Sequence, residues 1–272
     1  MRHLYTILFI LVLSGCNSHI QQSRQESATN TVVAADELLA LTASLKAEID
    51  EKVEENPNSS SADFVKVVDE KIEDVEYIQA QVRSIENRGG FSLTAKKDLD
   101  KIRFYQEKLT KLSHEIGAIH TSFDRELDKK LRSDVFFDTG NSILSKQGAQ
   151  ELKQLVNNDI KKLIMEWESQ PVYNNKVKRV RVTINGYADL QGSANEERRR
   201  AYNLLLSTKR AEAVAEIIAQ ELNKLKQNHN IDIELTHAGR GEEPPPGIED
   251  LTLRNNPNRR ICIVSTYVIP VF

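Results

Sequence analysis

The chain has 272 residues, of which 28% are charged and 39% are hydrophobic, and its formal net charge is −3. This length is sufficient for two domains, or for one domain with a long arm. The sequence has no basic face with interleaved aromatic residues, which argues against a nucleic-acid-binding protein.

The N-terminus combines a positive start, an apolar run and a cysteine. Arg2 and His3 precede an apolar run over residues 4–13. This run is too short to span a bilayer as a stable helix and is typical of a signal peptide. The Leu-Ser-Gly-Cys sequence that ends at Cys16 resembles a bacterial lipobox. We therefore expect removal of residues 1–15 and acylation of Cys16; a plain secretory signal with a chance cysteine is the alternative.

If Cys16 carries several acyl chains, membrane anchoring is stable. Asn17 follows the cysteine where aspartate would favour retention in the inner membrane, so resemblance to lipoprotein sorting rules favours the outer membrane, on its periplasmic face. The polar residues 17–32 are predicted to form a flexible tether.

Residues 33–132 show apolar positions at helical spacing, interrupted at Pro57 and at Gly89-Gly90. These interruptions predict three amphipathic helices, the third extending through Leu127. We expect a small antiparallel bundle or a partly extended coiled coil. Two roles remain open: a bundle that packs on itself, or a spacer that binds an envelope partner or self-associates through a narrow apolar stripe.

Residues 133–272 alternate between strand and helix patterns. Short strands are predicted at 135–137, 177–184, 231–235 and 259–268, and helices at 145–168 and from Ser207 to about 226. This β-α-β-α-β-β order predicts an α/β (α+β) two-layer sandwich behind the all-α arm. Cys262 falls in the last strand, where a buried, inert thiol is expected.

Two charged residues stand out in this second region. Asp189 follows the strand over 177–184, and Arg210 follows Ser207, a predicted N-cap, so that Arg210 is expected in the first helical turn. Ligands of open α/β folds bind beyond the carboxyl ends of strands. There, Arg210 suits a ligand carboxylate and Asp189 a ligand ammonium, which together match a zwitterion.

Several short motifs occur in order within residues 134–266. The motifs are Val135-Phe136-Phe137-Asp138-Thr139-Gly140, Gly186-Tyr187-Ala188-Asp189 with Gly192, Tyr202-Asn203 with Leu206-Ser207 and Arg210-Ala211, Gly239-Arg240-Gly241-Glu242, and Asn258-Arg259-Arg260. Together they resemble the OmpA-like C-terminal domain family (OmpA/Pal/MotB), which holds peptidoglycan without covalent chemistry.

The resemblance implies that Asp189 and Arg210 grip the free amino-acid centre of diaminopimelate; an Asx turn alone is the alternative role for Asp189. It also implies that Asn203 and Arg260 line the same pocket, although a strand-edge salt bridge is an equal alternative for Arg259 and Arg260. Tyr187-Ala188 replaces the family's His-Thr, and about six extra residues lie within 193–201. We expect these extra residues to extend a helix; contact of their arginines with a glycan or a phosphate is the alternative.

Enzyme signatures are missing from the sequence. Its six histidines are scattered, and no P-loop, Gly-x-Ser-x-Gly or paired-cysteine motif is present. We expect no catalytic residue, no metal and no cofactor. The sequence therefore predicts an outer-membrane lipoprotein that binds peptidoglycan. The alternative is an envelope scaffold that acts through residues 33–132 and uses peptidoglycan only as its anchor. A motor stator is disfavoured because that branch requires a transmembrane helix.

Overall fold

The computed structural model describes residues 17–57, 61–88, 94–132, 136–137, 141–248 and 256–271. The predicted signal peptide and Cys16 lie outside these residues. The chain divides into two compact units, one of residues 1–43 with 70–114 and the other of residues 44–69 with 115–272. The second unit thus includes residues on both sides of position 133, where the sequence predicts a domain boundary.

Three long helices occupy the N-terminal half: α1 (Asn17–Glu55), α2 (Ala62–Glu86) and α3 (Ala95–Asp124). Within the first unit they bury apolar residues at spacings of three and four, as predicted. These residues include Ala28, Val32, Ala35, Leu38, Val75, Ile78, Val82, Ile85, Ile102 and Leu109. Among the described helices, none combines the length and apolarity that crossing a membrane requires.

The start of α1 corrects one prediction. Residues 17–32, predicted to be a flexible tether, belong to this helix. Its stripe here uses small side chains, since Ala28 and Thr31 are 0% and 2% exposed. Arg24, which is 3% exposed, lies 3.6 Å from a carboxylate oxygen of Asp98. Composition made the segment look disordered, whereas close helix packing needs only small residues at the right spacing.

A four-stranded sheet organises the second unit: β1 (Leu127–Arg132), β2 (Lys178–Gly186), β3 (Ile231–Gly239) and β4 (Ile261–Pro270). The order across the sheet is β1-β4-β2-β3, with β2 and β3 parallel and the other pairs antiparallel. The predicted β-α-β-α-β-β order and the α/β fold class are confirmed.

The first strand lies earlier in the chain than predicted. The sequence placed Leu127 in the third helix and the strand at 135–137, but β1 is Leu127–Arg132. Leu127 and Leu131 are four residues apart, and that spacing fits one face of a strand as well as one face of a helix. Of the predicted strand at 135–137, residue 135 lies outside the described residues, and Phe137 forms an isolated bridge with Leu144.

Helices cover one face of this sheet. They are α4 (Lys146–Gln154), a π-helical segment (Leu155–Ile160), α5 (Lys161–Glu168) and α6 (Glu196–Lys226). The core between the layers includes Leu152, Val156, Ile164, Val180, Val182, Val214, Ile218 and Val264. The predicted helix over 145–168 is confirmed, with the π-helical segment as an addition.

Within the second unit, the ends of α2 and α3 contact the opposite sheet face. The ring of Phe64 lies 4.3 Å from that of Tyr267 and 5.9 Å from that of Phe123, centroid to centroid. Beside it, Asp63 pairs with Arg181 of β2 at 2.6 Å. Tyr267 and Val268 point to opposite faces because neighbouring strand residues alternate. The sheet is therefore covered on both sides.

Candidate ligand-binding site

Two glycines allow α6 to lie directly against the ends of β2 and β3. Gly186 pairs with Gly239 across these strands. A Cβ on Gly186 would lie 2.3 Å from the Ser207 carbonyl oxygen, and one on Gly239 would lie 2.2 Å from Thr208 Oγ1. Any larger side chain would push the helix away. This close crossing sets the position of Arg210, less than one turn further along α6.

Helix α6 also corrects the predicted role of Ser207. The helix begins at Glu196, and Asn195 caps it through a bond from the Arg198 backbone N–H. Ser207 lies mid-helix, where its hydroxyl donates to the Leu204 carbonyl at 2.9 Å and accepts from the Gly241 N–H at 3.0 Å. The N-cap prediction was wrong because the extra residues before Ser207 continue the helix. The helix dipole therefore gives Arg210 no special field.

Asp189 lies just beyond the carboxyl end of β2 and is 4% exposed. Its Oδ1 accepts a hydrogen bond from the Gln191 backbone N–H at 3.2 Å. Its Oδ2 is buried without a hydrogen bond and lies 3.6 Å from Arg260 Nε. Burial raises the pKa of Asp189, against the opposing effects of the Gln191 and Asn256 backbone N–H groups and of the Arg260 and Arg210 charges.

Arg210 projects from α6 into the same region and is 5% exposed. Its Nε donates to the Asn141 carbonyl at 3.1 Å, and its guanidinium lies 5.3 Å from the centre of the Phe137 ring. Burial lowers the pKa of Arg210, as does the charge of Arg260, while the Asp189 carboxylate raises it. The structure thus brings these three charged groups within electrostatic range of one another.

Asn203 lies beneath the loop that carries Asp189. Its Nδ2 lies within hydrogen-bond distance of the Asp189 carbonyl (2.9 Å), the Gln191 carbonyl (3.1 Å) and Glu242 Oε1 (2.8 Å). The amide hydrogens of Asn203 are therefore donated to acceptors within the protein. In this structure Asn203 orders the loop around Asp189.

The two terminal arginines occupy different environments. Arg259 is 3% exposed and donates to the Glu242 carbonyl. Arg260 keeps 30% of its side chain exposed and faces Asp189. Of this pair, it is the predicted residue, Arg260, that lies at the site.

The positions that depart from the family pattern lie inside the protein. Tyr187 is fully buried and clusters with Ile261 and Ile263. Ala188 is 2% exposed and donates its backbone N–H to the Gly241 carbonyl at 2.7 Å. These two side chains add packing around the site.

Sequence reasoning missed one contact near the site. Arg199, within the extra residues, donates two hydrogen bonds to Glu242, from Nε to Oε1 at 2.8 Å and from Nη2 to Oε2 at 3.2 Å. The predicted helical extension is confirmed, since residues 196–201 form the first turns of α6. The arginines of this segment were visible in the sequence, but nothing local marked an acceptor 43 residues away.

The described residues contain two further chemical features, a surface groove and a buried cysteine. An open groove of about 460 Å³ is lined by Asn157, Lys161 and Met165, among others, and includes none of the predicted site residues. Cys262 is fully buried, as predicted, and this burial raises the pKa of its thiol to about 12. Across the part of the chain that the structure describes, no His, Cys, Asp and Glu side chains form a group that could hold a metal ion.

No protein-family model matches the chain, and no curated protein does. Solved structures do match. The periplasmic domain of Helicobacter pylori MotB is 16% identical, with 53% of this chain and 83% of that chain covered and a TM-score of 0.33. The OmpA-like domain of FopA1 from Francisella tularensis subsp. tularensis SCHU S4 is 25% identical (54% and 73% covered, TM-score 0.31). The cell wall anchor of the T6SS from Pseudomonas aeruginosa is 15% identical (52% and 81% covered, TM-score 0.31). Of these three structures, the FopA1 structure is described as an OmpA-like domain.

Proposed function

We propose that this chain is a non-enzymatic peptidoglycan-binding protein in which Asp189 and Arg210 grip the zwitterionic centre of diaminopimelate. The observation that carries the proposal is the Asp189 carboxylate, which is 4% exposed and whose Oδ2 has Arg260 Nε at 3.6 Å but makes no hydrogen bond of normal length. A buried carboxylate oxygen that lacks a close donor is energetically costly. A ligand ammonium would supply a close, charged donor.

The surrounding cations support the second half of the grip. Arg260 Nε lies 3.6 Å from Asp189 Oδ2, and the Arg210 charge also acts on this carboxylate, so two guanidinium groups are available for a ligand carboxylate in this region. A guanidinium binds a carboxylate through two parallel hydrogen bonds, which fixes orientation as well as affinity. An ammonium and a carboxylate on one carbon, as at the free end of diaminopimelate, match this arrangement. The motif resemblance points to the same ligand.

The test is sedimentation of the chain over residues 17–272 with purified sacculi. A fragment that begins at 133 would omit β1 and the helix ends that cover the sheet. Asp189→Asn and Arg210→Lys preserve side-chain volume at two buried positions. Each should weaken binding by about 2–5 kcal/mol, that is roughly 30-fold or more.

Exposed positions provide the matched controls. Asp159 and Arg198 are exposed in the same unit, so Asp159→Asn and Arg198→Lys should pellet like the wild type. Equal pelleting of all five proteins would exclude the Asp189/Arg210 grip.

We also propose that Cys16 is acylated and anchors the chain in the outer membrane, so that the protein tethers this membrane to the cell wall. The support is the lipobox resemblance together with Asn17. Cys16→Ser should abolish metabolic labelling with palmitate and move the protein from the outer-membrane fraction to the soluble periplasm. Persistent palmitate labelling of the variant would refute the anchor assignment.

A further inference from the structure

We propose that Arg199, in the segment that lengthens the path between Asp189 and Arg210, is a positioning residue that holds the Asp189 loop ready for ligand. The inference rests on the proposed function of Asp189 and assigns a role to the first turn of α6.

The Arg199–Glu242 contact is well suited to fixing two segments together. Arg199 Nε and Nη2 lie 2.8 and 3.2 Å from the two carboxylate oxygens of Glu242. Their side chains are only 15% and 11% exposed. Paired, partly shielded hydrogen bonds of this kind restrict orientation more than a single exposed ion pair does.

Glu242 passes this restraint to the Asp189 loop through Asn203. The Nδ2 of Asn203 contacts Glu242 Oε1 at 2.8 Å and also the carbonyl oxygens of Asp189 and Gln191. Burial alone would raise the pKa of Glu242, but the hydrogen bonds from Arg199 and Asn203 outweigh it and lower that pKa. Glu242 therefore stays ionised and keeps both donors.

Arg199 also lies beside the Asp189 loop. Its Cγ lies 3.5 Å from the point that a Cβ on Gly192 would occupy. Gly192 has φ of +120°, a backbone conformation that favours glycine. The aliphatic stem of Arg199 thus lies against this turn, three residues beyond Asp189, while its guanidinium holds the loop after β3. Restraining both loops before binding removes part of the ordering cost that a ligand would otherwise meet.

The neighbouring Arg200 is an example of an arginine at a solvated helix end and can be compared with Arg199. Arg200 keeps 68% of its side chain exposed and pairs with Glu196 of the same helix at 2.5 Å. It carries the same charge one position further along the chain, but among the described contacts it makes no hydrogen bond or ion pair to either loop and acts on Glu242 only through its charge. Arg200→Ala is therefore the matched control for Arg199→Ala.

The experiment measures binding of a soluble disaccharide-tripeptide with a free diaminopimelate end to the chain over residues 17–272, by calorimetry. We expect Arg199→Ala to lose about tenfold in affinity, which is within the range of coupling between contacting residues. Arg199→Lys, which keeps the stem and the charge, should recover part of the loss, and Arg200→Ala should change affinity less than about twofold.

A second readout does not depend on ligand. In Arg199→Ala the loosened loop admits water to the Asp189 carboxylate, so its pKa, followed by carboxyl-carbon NMR, should move down toward the ordinary value. It should stay unchanged in Arg200→Ala. If Arg199→Ala does not fold, Glu242→Gln tests the same link and should shift the Asp189 titration in the same direction.

Wild-type affinity and an unchanged Asp189 titration in Arg199→Ala would overturn the inference. An affinity loss that Arg200→Ala shares equally would do so as well. Failure of the wild type to bind the disaccharide-tripeptide would instead overturn the proposed function, and the Asp189 titration would still decide the role of Arg199.

Discussion

Removal of the Phe64 ring tests whether the end of α2 belongs to the folded unit that contains the sheet. Phe64 is 1% exposed and packs edge-on against Phe123 and at a tilt against Tyr267 of β4. Phe64→Ala would leave a cavity between the helix ends and the sheet. The surrounding backbone belongs to three different elements, so the cavity cannot close by a small local shift.

The size of the effect follows from this burial. Replacing a buried phenylalanine by alanine costs about 3–5 kcal/mol, and the two ring contacts favour the upper part of that range. For a folded unit of this size, each kcal/mol corresponds to about 2–4 °C in melting temperature. We therefore expect Phe64→Ala to lower the melting temperature of the second unit by about 6–20 °C.

The fluorescence of the single tryptophan makes the stability of the second unit measurable. Trp167 is 2% exposed, and its indole N–H donates to the Val268 carbonyl at 2.9 Å, so its fluorescence reports unfolding of the core beside β4. Urea and thermal unfolding would be followed in Phe64→Ala and in the control Tyr202→Ala, whose side chain is 53% exposed. The control should change stability by less than about 1 kcal/mol. A Phe64→Ala transition that coincides with the wild type would refute the account of the covered sheet face.

Three further predictions concern the same fold and site. Gly239→Ala places a Cβ 2.2 Å from Thr208 and should destabilise the second unit by about 1–3 kcal/mol, whereas Gly117→Ala, with open space around it in a helix, should stabilise by about 0.5–1 kcal/mol; urea unfolding distinguishes them. Because burial raises the folded-state pKa of Asp189 above its unfolded value near 3.9, this group reduces stability as pH rises through that window. The ionised Asp189 carboxylate is the proposed ligand group and its pKa is raised, so the affinity for the disaccharide-tripeptide should fall on acidification at a pH above that at which an ordinary aspartate titrates. An affinity that does not depend on pH would contradict this assignment. Cys262, with a thiol pKa of about 12, should resist alkylation at pH 8 in the native chain and react after unfolding, as mass spectrometry would show; fast native modification would contradict its burial.

Hydrophobic periodicity predicted the fold well where only one period fits the sequence. The strands over 177–184 and 259–268 and the helix over 145–168 all appear in the structure. The error at β1 arose because Leu127 and Leu131 satisfy both periods. Only the pairing of β1 with β4, more than a hundred residues away, decides between helix and strand.

The start of α1 shows a different limit of sequence reasoning. Its packing stripe consists of Ala28, Thr31 and Ala35, which contribute little to mean hydropathy. Arg24 adds a buried charge whose partner, Asp98, lies on another helix. Both features need tertiary contacts to become visible.

The position of the candidate site could be predicted from the sequence, but the hydrogen bonds and helix boundaries within it could not. Asp189, Arg210 and Arg260 were predicted from motif spacing, and the structure places them within electrostatic range. The predicted role of Ser207 was wrong because a helix can extend through a good capping residue when the preceding segment is also helical. The contacts of Arg199 depend on a loop that follows a different strand, which no local pattern reveals.

The proposed grip on a zwitterion is tested most directly by comparing two ligands that differ in one carboxylate. Calorimetry would measure binding of the chain over residues 17–272 to a disaccharide-tripeptide ending in diaminopimelate and to the same molecule ending in lysine. Lysine keeps the ammonium for Asp189 but lacks the carboxylate for Arg210. We predict that the diaminopimelate ligand binds about 30-fold or more tightly, and that Arg210→Lys removes most of this difference. Equal affinity for the two ligands would contradict the account.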